Sequence, residues 1–228
     1  MKRKTYILIL VFFALFLSST RIMAAGKSFE GIITYKISYP GNKFTESQQG
    51  MFPKMLTVTI KGSNSKTEIK TQMGDQVEIT DYMTKTKVAL IDMMGQKYAV
   101  KSTSEEIEKE NAKEPIPTVE VTKETKVIAG YTCKKAVVTV NDDGVVAKYD
   151  VFFTNELGPK AANFDNPLYK DIDGVMMEFS MKTPQFTMVF SATAVEKKSL
   201  SGKEFEIPSD FTVITKDEFK SKFGAMGQ

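Results

Sequence analysis

Histidine is absent from this sequence of 228 residues, and its absence removes several kinds of chemistry. Ser-His-Asp and Cys-His catalytic arrangements need an imidazole as the general base, so neither can be built from this chain. Histidine-ligated metal centres and histidine proton switches are excluded for the same reason. The G-x-S-x-G motif, the P-loop and the dinucleotide-binding glycine fingerprint are missing as well.

Cysteine and arginine are nearly absent. A single cysteine, Cys133, excludes an internal disulfide, so packing alone must stabilise the fold. Both arginines, at positions 3 and 21, lie in an N-terminal segment that also contains Lys2 and Lys4. Without that segment 27 basic side chains face 28 acidic ones, for a net charge of −1. Such a chain offers no basic surface for nucleic acid or an anionic membrane, so we expect neither as a partner.

The first 25 residues resemble a secretory signal peptide. The basic segment Lys2–Lys4 is followed by an unbroken apolar run of 12 residues, Tyr6 to Leu17. As a helix that run rises about 18 Å, too little to span a hydrocarbon core of roughly 30 Å, and no later segment is longer or more apolar. Small residues at 23–26 predict cleavage after Ala25, or alternatively after Ala24. We therefore expect a periplasmic chain without a lipid anchor, since the residue directly after the cleavage site is not a cysteine.

The mature part, residues 26–228, has the hydrophobic period of two that is typical of β-strands. In the first strand Ile33, Tyr35 and Ile37 alternate with polar residues, and Asp143-Gly144 predicts a tight hairpin later in the chain. The predicted strands cover residues 29–39, 56–61, 66–71, 76–83, 87–93, 97–102, 118–127, 131–141, 145–155, 175–182 and 185–195.

Few segments favour a helix. Phe219 and Phe223 lie four residues apart before Gly224, which predicts a short C-terminal helix docked on the sheet. A charged helix and linker is expected at about 103–117. The fold class is therefore mainly β (α+β), a single domain formed by an open antiparallel half-barrel of about 10–11 strands with two or three short helices. Capping boxes are predicted at Thr45 with Gln48, Thr103 with Glu106, and Thr215 with Glu218.

Cys133 is the first candidate for chemistry. Its neighbours Lys134 and Lys135 could lower the pKa of the thiol and make it reactive. A lone thiol on a strand face shared with Tyr131 and Val137 is more typical of a small core residue. We predict a buried, unreactive side chain.

Carboxylates are the second candidate, because a pair of them suffices for glycoside hydrolysis. With 28 acidic residues some pair always arises, so we interpret them as solvated surface groups. Asp171 and Asp173 lack the spacing of a calcium loop and indicate an ordinary turn at Gly174. We predict no enzyme activity, metal or cofactor. The carboxylates on predicted strands are Glu68, Glu78, Asp81 and Asp150.

The last two predicted strands are rich in methionine and phenylalanine. Flexible Met beside Phe suits a surface that re-packs around variable acyl chains. The same composition suits a filled core, so both interpretations stay open. The candidate ligand-binding residues are Val175, Met177, Phe179 and Met181 on one strand and Phe186, Met188 and Phe190 on the next.

A resemblance to known families rests on the segment 126–136, followed by Tyr149–Thr154 and Leu157-Gly158-Pro159. These residues resemble the core of GLPGLI-type secreted proteins of Gram-negative bacteria and of a related domain of unknown function. Residues 173–178 keep part of the namesake motif, a glycine followed by three apolar residues and Glu178. More distantly, the strand set with a helix inserted midway is similar to the LolA-like periplasmic lipoprotein carriers, whose concave apolar face holds acyl chains. No ligand residue transfers from them.

These observations lead to one functional hypothesis and one alternative. The hypothesis is an exported, non-enzymatic binding protein for lipid or lipoprotein acyl chains on a concave apolar face. The alternative is a cell-envelope interaction or sensing domain with a filled core, an envelope protein as its partner and no small ligand. An open cavity behind the predicted strand faces would separate the two.

The signal peptide gives the first testable prediction. N-terminal sequencing of the exported protein should begin at Gly26, or at Ala25 if cleavage falls one residue earlier. A mature protein in the membrane fraction that retains the run Tyr6–Leu17 would contradict it.

Overall fold

The computed structural model describes residues 28–223, apart from 43, 46, 47, 49, 72, 73 and 94. The predicted signal peptide and Gly224 lie outside the described residues. The α-helices in the described part are α1 (Ser104–Asn111) and α2 (Lys216–Phe223), and short 3-10 helices cover Lys160–Asn163 and Gly202–Phe205. The strands are β1 (Glu30–Ser38), β2 (Met55–Lys61), β3 (Asn64–Thr71), β4 (Gly74–Asp81), β5 (Thr86–Met93), β6 (Gln96–Ser102), β7 (Thr118–Ile128), β8 (Tyr131–Asp142), β9 (Val145–Thr154), β10 (Val175–Lys182), β11 (Thr187–Lys197) and β12 (Thr212–Thr215).

The twelve strands of the described residues belong to one open sheet, in the order β12-β6-β5-β4-β3-β2-β1-β11-β10-β9-β8-β7. Strands β1–β6 form one meander and β7–β11 a second, and helix α1 lies in the connection between them. The antiparallel pairing of β1 with β11 joins the two meanders. The predicted fold class, a mainly β antiparallel open sheet with short helices, is confirmed.

Among the described strands, β12 is the one that the sequence pattern missed. It pairs parallel with β6, Val213 beside Ala99 and Ile214 beside Val100. With only four residues, β12 is too short for its alternation to stand out from the surrounding polar chain. The prediction of about 10–11 strands was therefore one strand short.

Sequence signals that act within a few residues are confirmed by the structure. Asp143 and Gly144 have φ angles of 47° and 90°, as a tight hairpin turn requires. At the start of α2, Thr215 and Glu218 make the reciprocal bonds of a capping box. Phe223 then docks on the sheet, with its ring centroid 5.3 Å from that of Tyr98 on β6.

Buried side chains form two clusters. The side cluster lies on the inner side of β8 and β9 and is covered by the loop after β9; it consists of Ala136, Val138, Val151, Phe153, Tyr169 and Ile172. The central cluster connects β1, β2, β10 and β11 to the start of β8; it consists of Ile33, Tyr35, Ile37, Leu56, Ile128, Cys133, Phe152, Leu157, Met177, Phe190 and Ala192.

The loop between β9 and β10 is fixed by one buried amide. Asn163 Nδ2 donates to the carbonyl oxygens of Ile172 and Gly174, at 3.0 Å and 2.9 Å. Both acceptors belong to the end of the loop, immediately before β10, so one buried side chain bonds two points of the backbone there. The loop therefore returns to the sheet at one defined place.

Gly174 occupies that place because no other residue fits. Its φ of +146° lies in the region that favours glycine, and a Cβ would lie 2.6 Å from the carbonyl carbon of Thr154. The obstacle is backbone, which cannot turn aside. The glycine after Asp173 thus serves a close approach of two chain segments.

Replacing Gly174 should lower the stability of the fold. We expect Gly174→Ala to lower the free energy of unfolding by about 2–4 kcal/mol, through backbone strain and the clash with Thr154. Gly202→Ala is the matched control, because a Cβ there meets nothing within 4 Å, and it should change stability by less than about 0.5 kcal/mol. Urea denaturation measures the free energy of unfolding of both variants. Equal effects would contradict the claim that the close approach at position 174 requires glycine.

Candidate functional site

A cavity of about 540 Å³ lies on the inner face of the sheet, the face that carries Tyr35, Leu56 and Thr67. Side chains of β1–β5, β10 and β11 line it, and the loop at 157–167 closes one side. Its volume falls in the range of roughly 300–1,000 Å³ that is usual for small-molecule sites.

One wall of the cavity is apolar, and we call it the apolar wall. Tyr35 on β1 pairs with Leu56 on β2, and Phe179 on β10 pairs with Phe190 on β11. The two phenylalanine rings stack with centroids 4.8 Å apart. Alternation along β2 adds further aliphatic side chains to the same face, among them Val58.

Tyr35 connects β1 to β10, which lies on the other side of β11 in the sheet. Its hydroxyl donates to the carbonyl oxygen of Met176 on β10 at 3.0 Å, and its ring meets Phe179 edge-on at 6.2 Å. Burial, with a smaller contribution from Cys133, raises the pKa of Tyr35 well above the usual range of a phenol. Tyr35 is therefore a neutral structural donor at any physiological pH.

The neighbouring wall, on β3–β5, is mainly polar. Register places Val58 beside Thr67, then Thr67 beside Glu78. In the next row, Ser65 pairs with Thr80 and Thr80 with Lys87. The inner face therefore changes from aliphatic to polar within two strands. We call the polar side chains of β3–β5 that line the cavity, together with Asp165 of the loop, the polar wall.

Three charges meet on the polar wall. Lys87 Nζ lies 3.3 Å from Asp165 Oδ2 and 3.7 Å from Glu78 Oε1. Burial by itself lowers the pKa of Lys87, but the two carboxylates outweigh burial and raise it. Lys87 therefore remains a cation and cannot serve as a neutral amine nucleophile.

Comparison with known families decides what kind of chain this is. Residues 33–167, which are 135 of the 228 residues, match the family described as N-glycanase peptide, N-terminal domain. The chain belongs to this family. The family segment contains β2–β9 and most of β1, and thus all the strands of the polar wall, whereas β10 and β11 lie beyond it. No curated protein matches the chain.

Two solved structures are similar to this chain at low identity. A β-barrel-like protein of domain of unknown function DUF1849 from Brucella abortus is 8% identical, with a TM-score of 0.35 over 76% of this chain and 99% of that one. LprF from Mycobacterium bovis is 11% identical, with a TM-score of 0.32 over 80% of this chain and 90% of that one. Neither likeness assigns a ligand. The resemblance to GLPGLI-type proteins stays a prediction.

Beyond the family segment, the structure brings four of the seven candidate ligand-binding residues to the cavity: Val175, Phe179, Met181 and Phe190. The other three lie elsewhere. Met177 is completely buried in the central cluster, and Met188 packs against that cluster. Phe186 joins an aromatic group, with its ring centroid 5.1 Å from Phe52 and 5.7 Å from Tyr39.

A β-bulge explains why Met177 is not at the cavity. On β10, Met176 pairs with Phe153 and Glu178 pairs with Phe152, so Met177 is an extra residue without a partner on β9. The alternation of side chains shifts there, and Met176 lines the cavity in place of Met177. The sequence pattern, which assumed an unbroken alternation from Val175 to Met181, had no signal for the shift.

The polar wall was also missed as part of the site. The sequence predicts Glu78 to be a solvated surface carboxylate, and no sequence signal singles out Lys87. The polar alternation of β3 and β4 was a usable signal. It could not reveal which apolar strands form the rest of the cavity.

Cys133 is buried in the central cluster with a fully covered side chain, as predicted. Burial raises the pKa of its thiol. The neighbouring Lys135 is engaged by Asp150 at 2.9 Å and Glu124 at 3.2 Å. Its ammonium therefore does not activate the thiol.

The other carboxylates are held by neighbouring groups. Glu68 lies 3.3 Å from Lys66, and Asp81 accepts a bond from the Met83 amide at 2.9 Å. Within the described ranges, no three acidic or cysteine side chains are arranged to hold a metal ion. No helix of the described part is long and apolar enough to cross a membrane.

The bulge leads to a prediction on two adjacent methionines. Met177→Ala should lower the free energy of unfolding by about 2–5 kcal/mol, because it leaves a void in the central cluster. Met176→Ala is the matched variant and should cost clearly less, because its side chain already borders open space. Urea melts of both proteins provide the measurement, and the reverse order would show that the bulge has been placed wrongly.

Proposed function

We propose that this protein is a non-enzymatic binding protein that holds the apolar chain of a lipid or lipoprotein in its inner cavity. The observation that carries the proposal is the cavity of about 540 Å³ with an aliphatic and aromatic wall. A filled interior, as in the alternative of a pure interaction domain, would leave no such space.

The apolar wall supports an apolar ligand on energetic grounds. Val58, Ile60, Ile69 and Val175 border the cavity and are only partly buried. A bound alkyl chain would cover their exposed surface, and each buried Å² of apolar surface contributes about 25 cal/mol. Met176 and Met181 lie on the same cavity, and their flexible side chains can adapt to chains of different shape.

The polar groups at the cavity support binding more than catalysis. The ammonium of Lys87 is held between Glu78 and Asp165, so neither carboxylate is left as an unpaired base. Cys133 is buried in the central cluster and does not line the cavity. With no histidine in the chain, no general base of the usual kind is available.

The proposed place of action is the periplasm. The basic and apolar segments of the first 25 residues support export. The resemblance to GLPGLI-type secreted proteins and to LolA-like carriers supports the same location and a carrier-like role.

Filling the cavity tests the proposal. Val58→Phe adds bulk to the apolar wall, whereas Val121→Phe adds the same bulk at an exposed position of β7. Purified protein without residues 1–25 should bind a fluorescent fatty-acyl probe. Val58→Phe should weaken that binding by at least about tenfold, which corresponds to about 1.4 kcal/mol, while Val121→Phe should leave it unchanged.

Two results would contradict the proposal. Absence of probe binding to the unmodified protein would favour the envelope interaction domain. Equal loss of binding in both variants would place the probe elsewhere on the protein. Circular dichroism of each variant confirms that it is folded before binding is measured.

A further inference from the structure

The cavity has a second wall that an apolar chain does not explain. Beside the aliphatic side chains of β2, on the same face of the sheet, lie hydroxyl and amide groups of β3 and β4: Ser65, Thr67, Gln76 and Thr80. A site for a bare hydrocarbon would gain nothing from polar groups, since covering them without hydrogen bonds costs free energy. The polar wall therefore points to a ligand with a polar end.

The charges on the cavity restrict what that end can be. Among the described residues that line the cavity, only Glu78, Lys87 and Asp165 are charged, for a net charge of −1. Lys87, the single cation, is already shared by the two carboxylates at 3.3 Å and 3.7 Å. An incoming carboxylate or phosphate would have to draw Lys87 away from both partners while facing their negative charges.

The uncharged groups are suited to a different partner. Hydroxyls and side-chain amides each donate and accept hydrogen bonds, as the hydroxyls of a sugar or glycerol do. Ser65 Oγ and Thr80 Oγ1 lie 2.6 Å apart and form a paired hydroxyl site on the polar wall. In such a pair one hydroxyl donates to the other, and each oxygen keeps capacity for a further bond.

We propose that the ligand is an amphiphile whose head group is neutral and rich in hydroxyls, such as a glycolipid, and that the polar wall discriminates against anionic heads. This inference rests on the proposed function, because the apolar chain supplies the binding and the head group supplies the selectivity.

Three dodecyl compounds test the head group at constant chain length: dodecyl maltoside, dodecanoate and dodecyltrimethylammonium. Each is titrated below its micelle concentration in competition with the fluorescent acyl probe. Dodecyl maltoside should bind the unmodified protein at least about tenfold more tightly than dodecanoate, a difference of about 1.4 kcal/mol.

Charge variants connect this preference to the polar wall. Glu78→Gln with Asp165→Asn changes the net charge of the cavity from −1 to +1 and should remove most of the discrimination against dodecanoate. Glu68→Gln with Asp75→Asn is the matched control, because both residues lie on the opposite face of the sheet. The control should keep the preference of the unmodified protein.

Lys87→Met gives an independent variant in case the double neutralisation impairs folding. It leaves the two carboxylates without their cation, so binding of dodecanoate should weaken further while that of dodecyl maltoside changes little. Circular dichroism establishes that each variant is folded.

The outcomes separate this inference from the proposed function. If the probe itself does not bind, the binding function fails and the inference fails with it. If the probe binds but dodecyl maltoside does not displace it, or dodecanoate or the ammonium compound displaces it as well as or better than the maltoside, only the head-group inference is overturned. An unchanged preference in both the Glu78/Asp165 and the Lys87 variants also overturns it.

Discussion

The antiparallel pairing of β1 with β11 is the constraint on which the rest of the structure depends. It places Ile33 opposite Val195 and so joins two meanders from distant parts of the chain into one sheet. Tyr35 strengthens the junction, because its hydroxyl reaches across β11 to the backbone of Met176 on β10. Without this junction β2 and β10 would not approach, and the apolar wall would not exist.

The cavity lies on the inner face of the open sheet, where the strands of the apolar wall adjoin those of the polar wall. The loop after β9 closes one side of the cavity, and its position depends on the amide of Asn163 and on the close approach at Gly174. Asp165 on this loop then completes the ion cluster with Lys87. The fixed position of this loop thus brings the carboxylate of Asp165 to the polar wall.

Local patterns predicted much of the fold. Alternation predicted eleven of the twelve strands, and the capping boxes at Thr103 and Thr215 predicted the starts of both helices in the described part. The pattern failed at β12, which is too short, and at the bulge on β10, which moved Met177 into the core. A bulge depends on how two strands pair, and the alternation of one strand alone does not contain that information.

By itself, the sequence determined the β-rich class, the hairpin at Gly144 and the exclusion of histidine chemistry, because each depends on composition or on residues close together in the chain. Only the tertiary structure decided that Met176 lines the cavity and that Lys87 meets Asp165. Those contacts join residues far apart in sequence, and strand order, register and loop position bring them together. The balance of packing over the whole sheet selects that arrangement, and no single segment encodes it.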